Sequence, residues 1–150
     1  MLLTQVRLSQ RLACFSPNQP QFAAEHAQLN AEVHNLLDYM NAGEYQKAQE
    51  TMEKIDTIIT DMLETAKHVG NLGGNEAQNR IIQASSALLE RNRLALKAAS
   101  DAMQAKPQEK RTREMLTNAV KDVLEAGDEL YRVVMRPIGN PELVTLSDLS

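Results

Sequence analysis

The sequence predicts an all-α protein: a single antiparallel four-helix bundle over residues 21–136, with a short amino-terminal arm (1–20) and an extended carboxy-terminal tail (137–150). Three observations carry that prediction. Val, Ile and Thr nowhere alternate with polar residues over a strand's length. Ala, Leu, Gln, Glu and Met dominate, and these are strong helix formers. Four stretches place apolar residues three and four apart, separated by breaks rich in Gly, Asn or Pro. At 150 residues the chain can bury a core without disulfide or metal staples.

The first helix follows the break "SPNQPQ" at 16–21. Phe22, His26, Leu29, Val33, Leu36/Leu37 and Met40 step along one face. Asn41 and Gly43 supply residues that tolerate a left-handed stop. The second helix starts near Glu44 and carries Tyr45, Ala48, Met52, Ile55, Ile59, Met62, Ala66 and Val69 at coiled-coil-like spacing. The short turn between the two makes them antiparallel neighbours. "GNLGGN" at 70–75 ends the second helix. It lacks the lysine spacing of a phosphate-binding loop, and no strand precedes it.

The third helix, Glu76 to Ala105, has a broad stripe of Ile81/Ile82, Ala84, Leu88/Leu89, Ala95/Leu96, Ala99 and Met103, interrupted by Asn92. A polar residue there either fixes register on a buried seam or borders the face with water in reach. "AKPQ" breaks the chain at 105–108. The fourth helix, Gln108 to Arg136, puts Leu116, Val120, Val123, Gly127, Leu130 and Val134 on one face. Gly127 costs a helix about 1 kcal/mol against alanine, so its inner position predicts close approach by a neighbour. The tail "RPIGNPELVTLSDLS" is non-helical, with apolar residues at Leu143, Val144, Leu146 and Leu149.

Charge and composition bound the function. The net charge is −4. Arg7 and Arg11 give residues 1–24 a charge of +2, leaving −6 on the remainder. An acidic body with only Phe15, Phe22, Tyr39, Tyr45 and Tyr131 as aromatics argues against a nucleic-acid partner. No run approaches the roughly 20 apolar residues of a membrane span. The lone Cys14 fits a reducing compartment, so a cytoplasmic protein is expected. The alternative is mitochondrial, should the arginine-bearing, acid-free residues 1–16 act as a transit segment.

Candidate chemistry is sparse. His34 and Asp38 lie four apart on one helical face and could share an ion, while His26 and His68 complete an alternative metal-binding set with nearby carboxylates. No HExxH, paired Glu-x-x-His or CxxC pattern accompanies them. His26 occupies a stripe position where Leu or Val is expected. It reads as a ligand or as a boundary histidine bonded to a neighbouring helix. Ser85 and Ser86 lie mid-helix, with no strained elbow to present a hydroxyl. No catalytic residue and no cofactor is assigned. The basic cluster "KPQEKRTRE" reads as a solvated loop balanced by Glu109 and Glu114, or as a contact for an acidic partner. Seven methionines fill core gaps or equip a surface that repacks around varied partners.

Residues 33–104 carry a helix ending Leu36-Leu37, the turn Gly43-Glu44-Tyr45, a helix with Ile55, Ile58, Ile59 and Met62, and a helix reading Ile81-Ile82 then Leu88-Leu89-Glu90-Arg91-Asn92. This half of the chain resembles the flagellar and type III export chaperones of the FliT kind, with Tyr45 where that family suggests tryptophan. The stretch around His26 and His34 is similar to the chemoreceptor zinc-binding domain, and the fourth helix to vinculin- and talin-type bundles.

The first resemblance implies a non-enzymatic bundle that holds an amphipathic helix of another protein. Excess apolar width on the third and fourth helices assigns the groove to Met103, Leu116, Val120, Val123 and Leu130, covered by the fourth helix or the tail until a partner arrives. The alternatives are a metal-binding sensor or store, and a cytoskeletal or structural adaptor. A homodimer is also open to such a bundle.

Overall fold

A computed structural model describes residues 18–72 and 75–136. The arm over residues 1–17, the centre of the glycine loop and the tail 137–150, for which the sequence carries expectations, lie outside the described residues. Four helices follow in order: α1 (Asn18–Asn41), α2 (Tyr45–Leu72), α3 (Glu76–Ala105) and α4 (Lys110–Val134). No strand occurs among the described residues. The hairpins α1–α2 and α3–α4 are each closely packed. Contacts of α2 with α3 and of α1 with α4 close the ring. The fold is the all-α four-helix bundle expected from the sequence.

Each bend has a local cause. After α1, Gly43 takes φ of 77°, the one positive value among the described residues. The Glu44 amide donates to the Tyr39 carbonyl at 2.9 Å and the Gly43 amide to the Met40 carbonyl at 3.2 Å. That pair of bonds satisfies the last carbonyls of the helix, and only glycine enters the left-handed region without strain. Asn75 caps α3, its side-chain oxygen accepting from the Gln78 amide at 3.1 Å. Between α3 and α4, the Thr112 hydroxyl lies 2.7 Å from the Lys106 carbonyl and 2.9 Å from that of Glu109. Its single proton is shared between them, which holds the loop against the first turn of α4.

Several boundaries differ from expectation, and α4 spans Lys110–Val134 rather than Gln108–Arg136. Helix α1 begins at Asn18 rather than after the Pro20 break, because proline in a first turn lacks an N–H that would be unpaired there anyway. Gln19 then anchors the end, its Nε2 donating to the Val134 and Arg136 carbonyls, both at 2.7 Å. Helix α2 runs through Gly70 to Leu72, Gly70 being buried where α2 meets Asn79 of α3.

The stripes read from the sequence meet along one axis. Phe22, Leu29, Leu36, Ile55, Ile59, Leu89, Leu96 and Leu130 are fully buried. At about 1.5–3 kcal/mol for each large apolar side chain removed from water, these positions dominate stability.

Candidate functional site

Met103, Leu116, Val120, Val123 and Leu130 all lie in the core, none more than 4% exposed. In this closed arrangement they seal the seam and line no open groove. The physical reason is that a helix in a four-membered ring touches two neighbours. The buried apolar face of α4 is covered by α3 on one side and α1 on the other.

The structure does not gather the histidine set into one place. His26 faces α4, its Nε2 donating to Asp128 Oδ1 at 2.9 Å and its ring stacking on Tyr131 at 4.5 Å between centroids. The exposed His34 bonds within α1, its Nδ1 donating to the Asn30 carbonyl at 2.6 Å. His68 lies 3.3 Å from Glu64 on α2, and Asp38 is exposed. Among the described residues, no group of three or more His, Cys, Asp or Glu is placed to hold a metal ion. No helix among them is long and apolar enough to cross a membrane.

A shallow groove of about 720 Å³ runs between α1 and α2, with Glu32, Glu53 and Asp61 on its walls beside Lys54 and Ile58. Near Asp61 lies Glu25, only 9% exposed, with Oε1 buried and without a hydrogen-bond partner. Burial pushes the Glu25 carboxyl above its ordinary value. Polar contact from Thr65 and Gln21 opposes that shift, and the Asp61 charge adds to it.

The surface feature that periodicity did not single out is on α3. Among the described residues the exposed large hydrophobics are Leu72, Ile81, Leu88, Leu94 and Met115, with Leu94 60% exposed and Ile81 and Leu88 each 42%. Three of the five belong to α3, one to the facing helix α4 and one to the end of α2. Along α3, Ala77, Ile81, Ala84, Leu88, Arg91, Ala95 and Ala98 step four and three apart, and all are exposed. That is a second heptad line, one residue out of phase with the buried line through Ile82, Ser85, Leu89, Leu96 and Ala99. The sequence signal was present in the doublets Ile81/Ile82 and Leu88/Leu89. Periodicity merges each doublet into one wide core stripe, whereas one member of each pair faces water.

The α4 edge beside this line is acidic. Asn92 Nδ2 donates to the Asp122 carbonyl at 3.3 Å, which fixes the relative height of the two helices. Asp122, Glu125 and Glu129 are exposed on α4, Glu129 being paired with Arg132 at 2.6 Å. An apolar strip bordered by carboxylates can take another helix, the strip supplying burial and the border supplying orientation. Comparison of the chain with known protein families, with curated proteins and with solved structures gives no match in any of the three.

Proposed function

We propose that this protein is a non-enzymatic protein-binding bundle that receives an amphipathic helix on the outer face of α3, beside the acidic edge of α4. The observation that carries the reading is the exposure of Ile81 and Leu88 seven residues apart on one face of α3, with Leu94 exposed on a separate flank, while the rest of the large apolar side chains on α3 are buried. Exposed apolar side chains scattered singly need no explanation, but a line of them at heptad spacing does. The role fits an export chaperone or an adaptor, as the resemblance of residues 33–104 implies. The partner-binding residues are then Ile81, Leu88 and Leu94, and not the buried Met103, Leu116, Val120, Val123 and Leu130.

The test is fluorescence anisotropy with a labelled amphipathic peptide carrying leucine on one helical face and lysine on its flanks. Saturable binding that is lost in Leu88→Glu supports the reading. Equal signals from the native protein and Leu88→Glu, at matched helicity, overturn it.

A further inference from the structure

We infer that the groove between α1 and α2 is the docking site of this chain's own basic arm, residues 1–17, held there through Arg7 and Arg11. The groove lies on the hairpin that does not carry Ile81 and Leu88, so it stands apart from the peptide-binding face of α3. Its walls place Glu32, Glu50, Glu53 and Asp61 around Lys54, a formal charge of −3 about a cavity of roughly 720 Å³. Among the described residues no cation pairs with any of these four carboxylates, whereas Glu44, Glu76 and Glu114 on other faces each have one nearby.

The head of the groove is short of positive charge in a second way. Glu25 precedes Gln28 and Glu32 by three and seven residues, which puts it on the same face of α1. It is only 9% exposed, its Oε1 is buried with no hydrogen-bond partner, and the Asp61 charge acts against it from α2. A guanidinium seated on Asp61 offsets the repulsion between the two carboxylates, and its fork of donors suits paired oxygens. Half-buried Ile58 on the wall gives an apolar surface for leucines beside such an arginine to cover.

Charge and reach select the occupant. Residues 1–17 contain Arg7 and Arg11, with Leu8 and Leu12 next to them, and no acid. Residues 137–150 contain Glu142 and Asp148 and no base, so the groove repels the tail. From Asn18, where α1 begins, Glu25 and Glu32 lie seven and fourteen residues along the helix, about 10 and 21 Å at ~1.5 Å per residue. Arg11 and Arg7 precede Asn18 by seven and eleven residues. Those lengths bridge about 10 and 16 Å as helix and more than twice that when extended. The walls are therefore within range whichever form the arm takes. On the other side of α1, Asp128 reaches across from α4, but His26 already engages it.

Paramagnetic relaxation in the full chain tests this, with a nitroxide on the cysteine of Cys14→Ser combined with Gln5→Cys, and circular dichroism checking the fold. The expected result is that the amide signals of Glu32, Lys54 and Ile58 lose more than half their intensity while those of Leu94 and Arg113 keep theirs. Adding Arg7→Glu and Arg11→Glu should restore the groove signals at least twofold. Broadening that misses the groove, spreads over all four helices or ignores the two charge reversals overturns the inference. So does broadening between separately labelled chains in a mixture, which makes the occupant a second copy, or broadening of the same amides from a nitroxide on Ser150→Cys, which makes it the tail. None of these results alters the expected binding of the labelled peptide to the α3 face.

Discussion

Gly127 of α4 faces Leu29 of α1 so closely that a methyl group on the glycine would lie 3.3 Å from Leu29 Cδ2 and 3.8 Å from His26 Cδ2. Leu29 is fully buried and cannot swing into solvent. Alanine at 127 gains about 1 kcal/mol of helix propensity and loses a comparable amount to crowding. Gly127→Ala is therefore expected to lie within ~1 kcal/mol of the native protein, and Gly127→Leu to be destabilised by about 1–3 kcal/mol. Urea midpoints at constant m-value measure both.

Glu25 gives a signed pH dependence. Its carboxyl is raised above 4.5 in the fold, mainly by burial. Above that value the native state holds more of the proton than the unfolded chain does, so stability falls as pH rises through the window. Acidification through the same window restores it. Glu25→Gln is expected to stabilise the bundle at neutral pH by about 1 kcal/mol and to flatten stability between ~4.5 and neutrality. Thermal melts at several pH values report both effects. An unchanged slope would assign the dependence to another group.

The His26–Asp128 pair stitches α1 to α4. The Asp128 side chain is 58% exposed and that of His26 only 13%, so the contribution of His26 rests more on packing against Tyr131 than on charge. Asp128→Asn is expected to cost under ~1 kcal/mol. His26→Ala, which also loses the ring stack, should cost about 1–2 kcal/mol. A double-mutant cycle on the two positions separates the hydrogen bond from the stacking.

Thr112 is a loop device more than a core residue, although it is 5% exposed. Replacing it with Val keeps the volume and removes the proton shared by the Lys106 and Glu109 carbonyls. A loss of about 1 kcal/mol is expected, with faster amide exchange confined to the α3–α4 connection. Exchange that accelerates uniformly along the chain would show that the hydroxyl holds no particular loop.

Much of the bundle was legible because helical periodicity and chain breakers act locally. Three-four spacing identified α1 to α4, Gly43 marked the first turn, and the inner position of Gly127 foretold the close crossing that Leu29 supplies. His26 bonds to Asp128 of the neighbouring helix, the contact that the boundary reading of its stripe position expects. The start of α1 was missed by a few residues, because a proline that breaks a helix interior is tolerated in its first turn.

What the sequence by itself determined is which segments are helical and how wide the apolar arc of each one is. Only the tertiary structure decided how those arcs were spent. Helix α4 has two neighbours that bury Leu116, Val120, Val123 and Leu130 and leave Met115 exposed at its edge. Helix α3 leaves Ile81 and Leu88 outside while Ile82 and Leu89 go in. The physical reason is that periodicity fixes an angle around one helix axis. Whether another helix occupies that angle depends on the rotation and order of all four, and a single helix's spacing carries no record of either.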